Sequence, residues 1–273
     1  MDITLTYKDE IPVRAKHLSD WLVSHGIAAI TTDEAAKLMD VPKGQVRQRM
    51  AAARARGRMV SPSRGLWVPV PPDRMVWGAP EPAAYLDVLM AYLHAGYYVG
   101  WLSAAALHGA SHQAPQVVQV AVGRHVSDRV VGRSRLHFLV RSSMGLIPTT
   151  RVTSPSGTLT VSTAGATMLD IAEDIDEAGG LDNAATVIAE LAWENAGYLV
   201  DVVAAAPAHS DAAVRRVGWF LDEVAGEDGL EPLESLAIGT AAYPSLLSPH
   251  DSRTSVISAR WMINVNTKVE PDL

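Results

Sequence analysis

Lys43, Gln45, Arg47, Arg49, Arg54, Arg56, Arg58 and Arg64 crowd into one short stretch of the chain. Between 41 and 74 there are eight basic residues, Arg74 included, against the single acid Asp73, a net +7 in a chain whose net charge is −7. The remaining residues must then sum to −14. Arginine and glutamine at helical spacing are residue types that hold nucleic acid. A guanidinium can donate two bonds to guanine O6 and N7, a glutamine amide can pair with adenine, and any arginine can sit against a phosphate. Charge divided this unevenly predicts a cationic face for a polyanion on a larger acidic body.

The elements that would position these side chains follow from local pattern. Apolar residues Ala15, Leu18, Trp21 and Leu22 recur at helical spacing over 11–25, and Gly26 stops that helix. Thr31 or Thr32 caps a second, short helix over 33–39. Val41-Pro42 closes it and opens a third over 42–56, since proline suits a first helical turn, and Gly57 ends the third. On that third helix Val46, Met50 and Ala53 form the inner stripe, leaving Lys43, Gln45, Arg47 and Arg49 to project outward. Strand-like alternation then flanks a turn over 61–65. Three helices and a hairpin predict a winged helix-turn-helix, in which the N-terminal half of the third helix meets base edges. Arg54, Arg56, Arg58 and Arg64 fall where phosphates or the minor groove would lie. No acid within 41–72 stands four residues away to neutralise them.

Pro71, Pro72, Pro80 and Pro82 predict a stiff linker over 70–82. Beyond it the pattern mixes types. Helices are expected over 82–93, 101–108, 164–177, 181–192, 197–206 and 210–224, and strands over 116–122, 135–140, 151–153 and 158–161. Edge strands are expected in the tail over 252–269. The fold class is thus α+β: a winged helix-turn-helix domain over 1–72, followed by a larger mixed α/β domain over 73–273.

Composition narrows the chemistry. Hydrophobic residues at 48% support a buried core. The absence of cysteine removes disulfides, thiolate zinc sites and cysteine nucleophiles, and fits a reducing cytoplasm. The N-terminus shows no secretory pattern. The apolar stretch 85–110 is broken at Gly96 and reads as two core helices, not a membrane span, which needs about 20 continuous apolar residues.

Catalytic patterns are weak. His108 and His112 stand four apart without the intervening glutamate or third ligand of a zinc site, and read as turn or core residues. Glu173, Asp174, Asp176 and Glu177 form an acidic knot whose members point around a helix, whereas two-metal chemistry needs converging carboxylates. They read as a solvated face or a docking surface for a basic partner. There is no Gly-rich phosphate loop, no dinucleotide fingerprint and no serine nucleophile elbow. No enzyme, cofactor or metal is predicted.

Four segments carry a family resemblance: YVGWLSAAALHG at 98–109; VTSP at 152–155 with TMLDIA at 167–172; GGL at 179–181 with AAVRRVGWFL at 212–221; and SARWMINVN at 258–266. In their order and spacing they resemble the AbiEi-type antitoxins of bacterial toxin–antitoxin and abortive-infection systems. With the basic head in front, the likeness spans nearly the whole chain.

The resemblance implies a head that binds inverted repeats in its own promoter and represses it, with self-association on DNA. It implies a second domain that antagonises a nucleotidyltransferase toxin, by direct contact or without a stable complex. It places DNA contacts at Lys43, Gln45, Arg47 and Arg49, with Arg58 and Arg64 on the wing. Arg215 and Arg216 match the family's basic pair, either as a partner-binding element or as a surface pair bonded to Asp211 or Asp222. Beside this stand a ligand- or partner-sensing regulator without a toxin, and a nuclease-like enzyme with a DNA-targeting module.

Overall fold

The computed structural model describes residues 6–110, 117–154, 157–239 and 243–273. In the N-terminal head, α1 (Leu18–Ser24) leads to a two-residue strand β1 (Ile30–Thr31) and then α2 (Thr32–Met39). Thr31 and Glu34 close a reciprocal capping box at the start of α2. Asp40 ends that helix in the left-handed region at φ 51°, which its short polar side chain tolerates. Pro42 in extended conformation then admits α3 (Lys43–Ala55), and Gly57 at φ +67° terminates it. Strands β2 (Met59–Ser63) and β3 (Leu66–Pro69) form an antiparallel hairpin turning at Gly65. β1 pairs with β3 to complete a three-stranded sheet, an element too short to show in the sequence pattern. Leu18, Leu22, Leu38, Val46, Met50 and Trp67 fill the core of this unit.

The body begins with α4 (Leu86–Tyr92), β4 (Tyr97–Val99) and α5 (Trp101–Leu107). The apolar stretch 85–110 is therefore two helices with a central strand between them, not two helices alone. Next come β5 (Val117–Val122), β6 (Arg129–Val131), β7 (Ser134–Val140), β8 (Thr149–Ser154) and β9 (Gly157–Ser162). They form a mixed six-stranded sheet in the order β6-β7-β5-β4-β9-β8. β4 lies antiparallel to β5 and parallel to β9, while β5 and β7 run parallel. The helical half comprises α6 (Ala164–Glu173), α7 (Leu181–Glu194), α8 (Tyr198–Ala205), α9 (Asp211–Glu223) and α10 (Glu231–Ile238). A small sheet closes the chain, with β12 (Ile263–Asn264) between β10 (Ser245–Leu246) and β11 (Ile257–Ser258).

α6 is buried at every position from Ala164 to Ala172, so it shows no amphipathic stripe, and it stops at Glu173, short of the expected end. Two glycines explain how closely the surrounding helices approach. A Cβ on Gly165 would stand 2.2 Å from the backbone nitrogen of Val202, and one on Gly218 would stand 2.1 Å from the Trp261 ring. Neither site has room for alanine.

The proline-rich segment 70–82 is not a free spacer. Val70 and Ala79 are buried within it, and Leu66 and Val68 of the hairpin share one hydrophobic core with Tyr85, Leu86 and Leu89 of the body. The Tyr92 hydroxyl donates to the carbonyl of Arg64 at the hairpin turn, 2.8 Å away. Hairpin and body are thus joined by burial as well as by chain. The sequence pattern missed this because a proline-rich run looks alike whether packed or solvated.

Candidate nucleic-acid interface

α3 buries Val46 and Met50 completely and half-buries Ala53, so its inner stripe is the expected one. At about 100° per residue, that stripe sorts the basic residues onto two edges. Lys43, Arg47 and Arg54 lie along the edge beside the hairpin, while Arg49 and Arg56 lie along the other. All five are exposed, with Gln45 and Gln48 between them.

On the hairpin side, Lys43, Arg47, Arg54 and Arg64 line an open cleft of about 970 Å³, floored by Thr31, Thr32 and Trp67 and flanked by Ser61 and Tyr92. Trp67 is held by a bond from its indole N–H to Thr32 Oγ1 at 3.0 Å, and the Arg54 guanidinium lies 6.0 Å from the ring centre. Lys43 bonds Asp33 at 2.7 Å, an exposed pair that costs little to open. Among the described residues, Arg47, Arg56 and Arg64 have no carboxylate within ion-pair distance. Cations left unpaired on a chain of net −7 can bind an external anion with no internal bridge to break.

On the opposite side, Arg49 and Arg56 share shallow depressions with Arg14 and Lys16 of the segment before α1. Both of those residues are exposed. Arg14 and Lys16 belong to the cationic face although no sequence spacing connects them to the basic helix. Only the folding of 12–16 against α3 brings them there. Arg58 departs from its expected place beside Arg64. Its guanidinium pairs with Asp20 of α1 and reaches Met75, so it braces the base of the hairpin. The missing local acids were therefore supplied by distant ones at two positions, Lys43 and Arg58.

The body's candidates resolve differently. Arg215 and Arg216 are interior, at 1% and 7% exposure, and neither touches Asp211 or Asp222, which corrects both expectations for the pair. Arg215 donates to the carbonyls of Ala237 and Tyr243 and to Ser245 Oγ. Arg216 donates to the carbonyls of Leu246, Leu247 and Ala172. They tie α9 to α10, to α6 and to the closing sheet, and burial lowers the Arg216 pKa. Asp222 instead receives Arg260 at 2.7 Å and the Trp261 indole at 2.6 Å.

The acidic knot disperses into separate bonds. Glu173 accepts from Ser210 N, Asp176 meets His250, Glu177 receives the Gln119 amide, and Asp174 receives Arg141 and the Trp101 indole. Burial, outweighing Arg141, raises the Asp174 pKa. No group of metal-binding side chains assembles among the described residues. His108 bonds the carbonyl of Ser162 at 2.7 Å, and His112 lies outside the described residues.

Behind the knot, fully buried Asp170 accepts from Tyr98, Arg141 and His209 at 3.1, 2.8 and 3.2 Å, all through Oδ1. A Cβ on Gly100 would stand 2.9 Å from its other oxygen. This network joins β4, the residue after β7, α6 and the segment after α8, which makes Asp170 a hub of the body's architecture. Its aspartate was visible in the TMLDIA motif, but its partners were not.

A basic helix edged by a hairpin, set on an α+β body with this buried hub, invites comparison with known proteins. Residues 98–223 match the model of the AbiEi antitoxin C-terminal domain. This match supports an AbiEi-type antitoxin domain, of the kind found in toxin–antitoxin systems, in the body of the chain. A similar solved structure is the crystal structure of the RV2827C protein from Mycobacterium tuberculosis. It is 16% identical with a TM-score of 0.67, over 93% of this chain and 91% of that one. At that identity the likeness concerns the fold. No curated protein matches. Among the described residues no helix is long and apolar enough to cross a membrane.

Proposed function

We propose that the head is a winged helix-turn-helix that binds double-stranded DNA, and that the chain is a cytoplasmic transcriptional autorepressor and antitoxin. α3 is its recognition helix and the β2–β3 hairpin its wing. The observation that carries this is the exposure of Lys43, Arg47, Arg54 and Arg64 in one cleft, with Arg49 and Arg56 on the opposite edge of the same helix. A helix lying in the major groove runs between two phosphate backbones and needs cations on both sides. Two copies on an inverted repeat would place their helices about 10 base pairs, or a multiple, apart.

The antitoxin role follows from the family domain over 98–223, and the partner it implies is a nucleotidyltransferase toxin, met directly or opposed indirectly. Gel-shift titration with the duplex upstream of the chain's own gene tests the DNA reading. Six to eight phosphate contacts predict a log–log salt slope of about −5 to −7, and a slope near zero would refute it. Co-expression with a neighbouring nucleotidyltransferase gene tests the second role, with rescue of growth as the expected result and undiminished toxicity as the contrary one.

A further inference from the structure

We infer that Gln48 is the base-reading residue of this interface and that it selects an A·T pair, while the arginines beside it grip phosphates. This rests on the proposed binding of duplex DNA by the head and adds what that head reads.

The placement of side chains around α3 is the ground for it. Opposite the buried Val46–Met50 stripe, the outermost line of the helix holds Gln48, with Gly44, Ala51 and Ala55 next to it, all exposed. Small neighbours leave the helix axis free to approach a groove floor, and a Cβ at Gly44 would meet nothing within 4 Å in the free protein. The arginines do not occupy this line. Arg47 and Arg54 turn into the cleft with Arg64, and Arg54 is drawn toward the Trp67 ring. Arg49 turns toward Arg14 and Lys16 and bonds the Gln45 side chain at 3.4 Å.

Gln45, the other amide on the outer half of α3, is therefore partly engaged. The Gln48 side chain makes no hydrogen bond among the described residues. An unengaged amide at the point of deepest entry offers one donor and one acceptor, which match adenine N7 and N6 across the major groove. Cations on the two edges lie nearer the groove walls, where phosphates are.

The test is selection of bound duplexes from a randomised pool by the full chain and its variants. Wild type should enrich a motif with an A·T pair fixed at one position per half-site. Gln48→Ala should lose preference at that position alone, by at least about 5-fold, the lower end for one two-bond base contact. Its affinity for random duplex and its salt slope should not change. Gln48→Arg should move the preference there toward G·C. Arg47→Ala should weaken binding to every sequence and keep the motif.

A Gln48→Ala motif identical to wild type would overturn the assignment, as would loss of the A·T preference in Arg47→Ala instead. A wild-type chain that binds duplex but fixes only G·C pairs would overturn it too, leaving DNA binding intact. Failure of wild type to retain any duplex would sink the DNA-binding proposal itself, and this one with it.

Discussion

Two helices of this protein carry closely spaced arginines and use them in opposite ways. On α3, Arg47, Arg49, Arg54 and Arg56 stand in solvent, and no carboxylate neutralises any of them among the described residues. On α9, Arg215 and Arg216 lie inside the body, and six hydrogen bonds run from them to five carbonyls and one hydroxyl. The difference teaches that an arginine run announces a binding surface only when its donors have been left without acceptors. On α9 the guanidinium groups satisfy carbonyls at the ends of α6 and α10 and along the segment 243–247, a structural task for which a planar five-donor group is suited.

The largest expected effect is on binding. Charge reversal at Arg47 and Arg49 together should abolish retention of promoter DNA in a gel shift while the thermal midpoint stays within about 2 °C, since exposed unpaired side chains contribute little to stability. Unchanged affinity would erase the contrast between the helices from the α3 side.

The converse substitution sharpens it from α9. Arg216→Ala should remove several kcal/mol from the free energy of urea unfolding, because each abandoned buried carbonyl costs about 1–3 kcal/mol. A loss below about 1 kcal/mol would mean that water replaces the guanidinium, and that the interior role is incidental.

A smaller effect concerns Asp128, which shows a third use of positive charge. Burial works against its ionisation, but bonds from Arg135, His137 and the Phe138 N–H hold it down at about 2, below an ordinary value of 3.8. A depressed carboxylate contributes stability that is complete above 3.8 and lost as pH falls through about 2. Asp128→Asn should therefore flatten the decline in stability between about pH 4 and pH 2, with less than about 1 kcal/mol of change at pH 7 for so accessible a pair. Denaturant midpoints at pH 7, 4 and 3 measure this. A variant whose midpoints fall as steeply as wild type would show that other carboxylates dominate acid unfolding.

How much was legible beforehand depended on whether the signal was local. The cap at Thr31, the Pro42 and Gly57 boundaries and the Val46–Met50–Ala53 stripe act within a few residues, and each appears in the structure near its expected place. α6 was readable as a helix but not in its length, because a helix buried on all sides carries no stripe to show where it stops. β1, β6 and α10 were missed; the two strands are three residues or fewer, too short for an alternating pattern to show, and β1 exists only through a partner distant in sequence. Within the candidate interface, the cationic residues of 43–64 were all named from the chain. Arg14 and Lys16 were not, because no spacing rule connects them to Arg49.

By itself the chain determined the helix–turn–helix order of its head and the concentration of positive charge there, because capping, turn chemistry and charge are properties of neighbouring residues. Tertiary structure alone decided which arginines face solvent and which are buried, and that the proline-rich connection is packed into the core. It also decided that Asp20 captures Arg58 and that Asp170 gathers three donors from separate elements. Those outcomes depend on which distant surfaces meet. A charged side chain takes whatever counterpart the packing of apolar surfaces brings within reach, and a one-dimensional pattern does not contain that information.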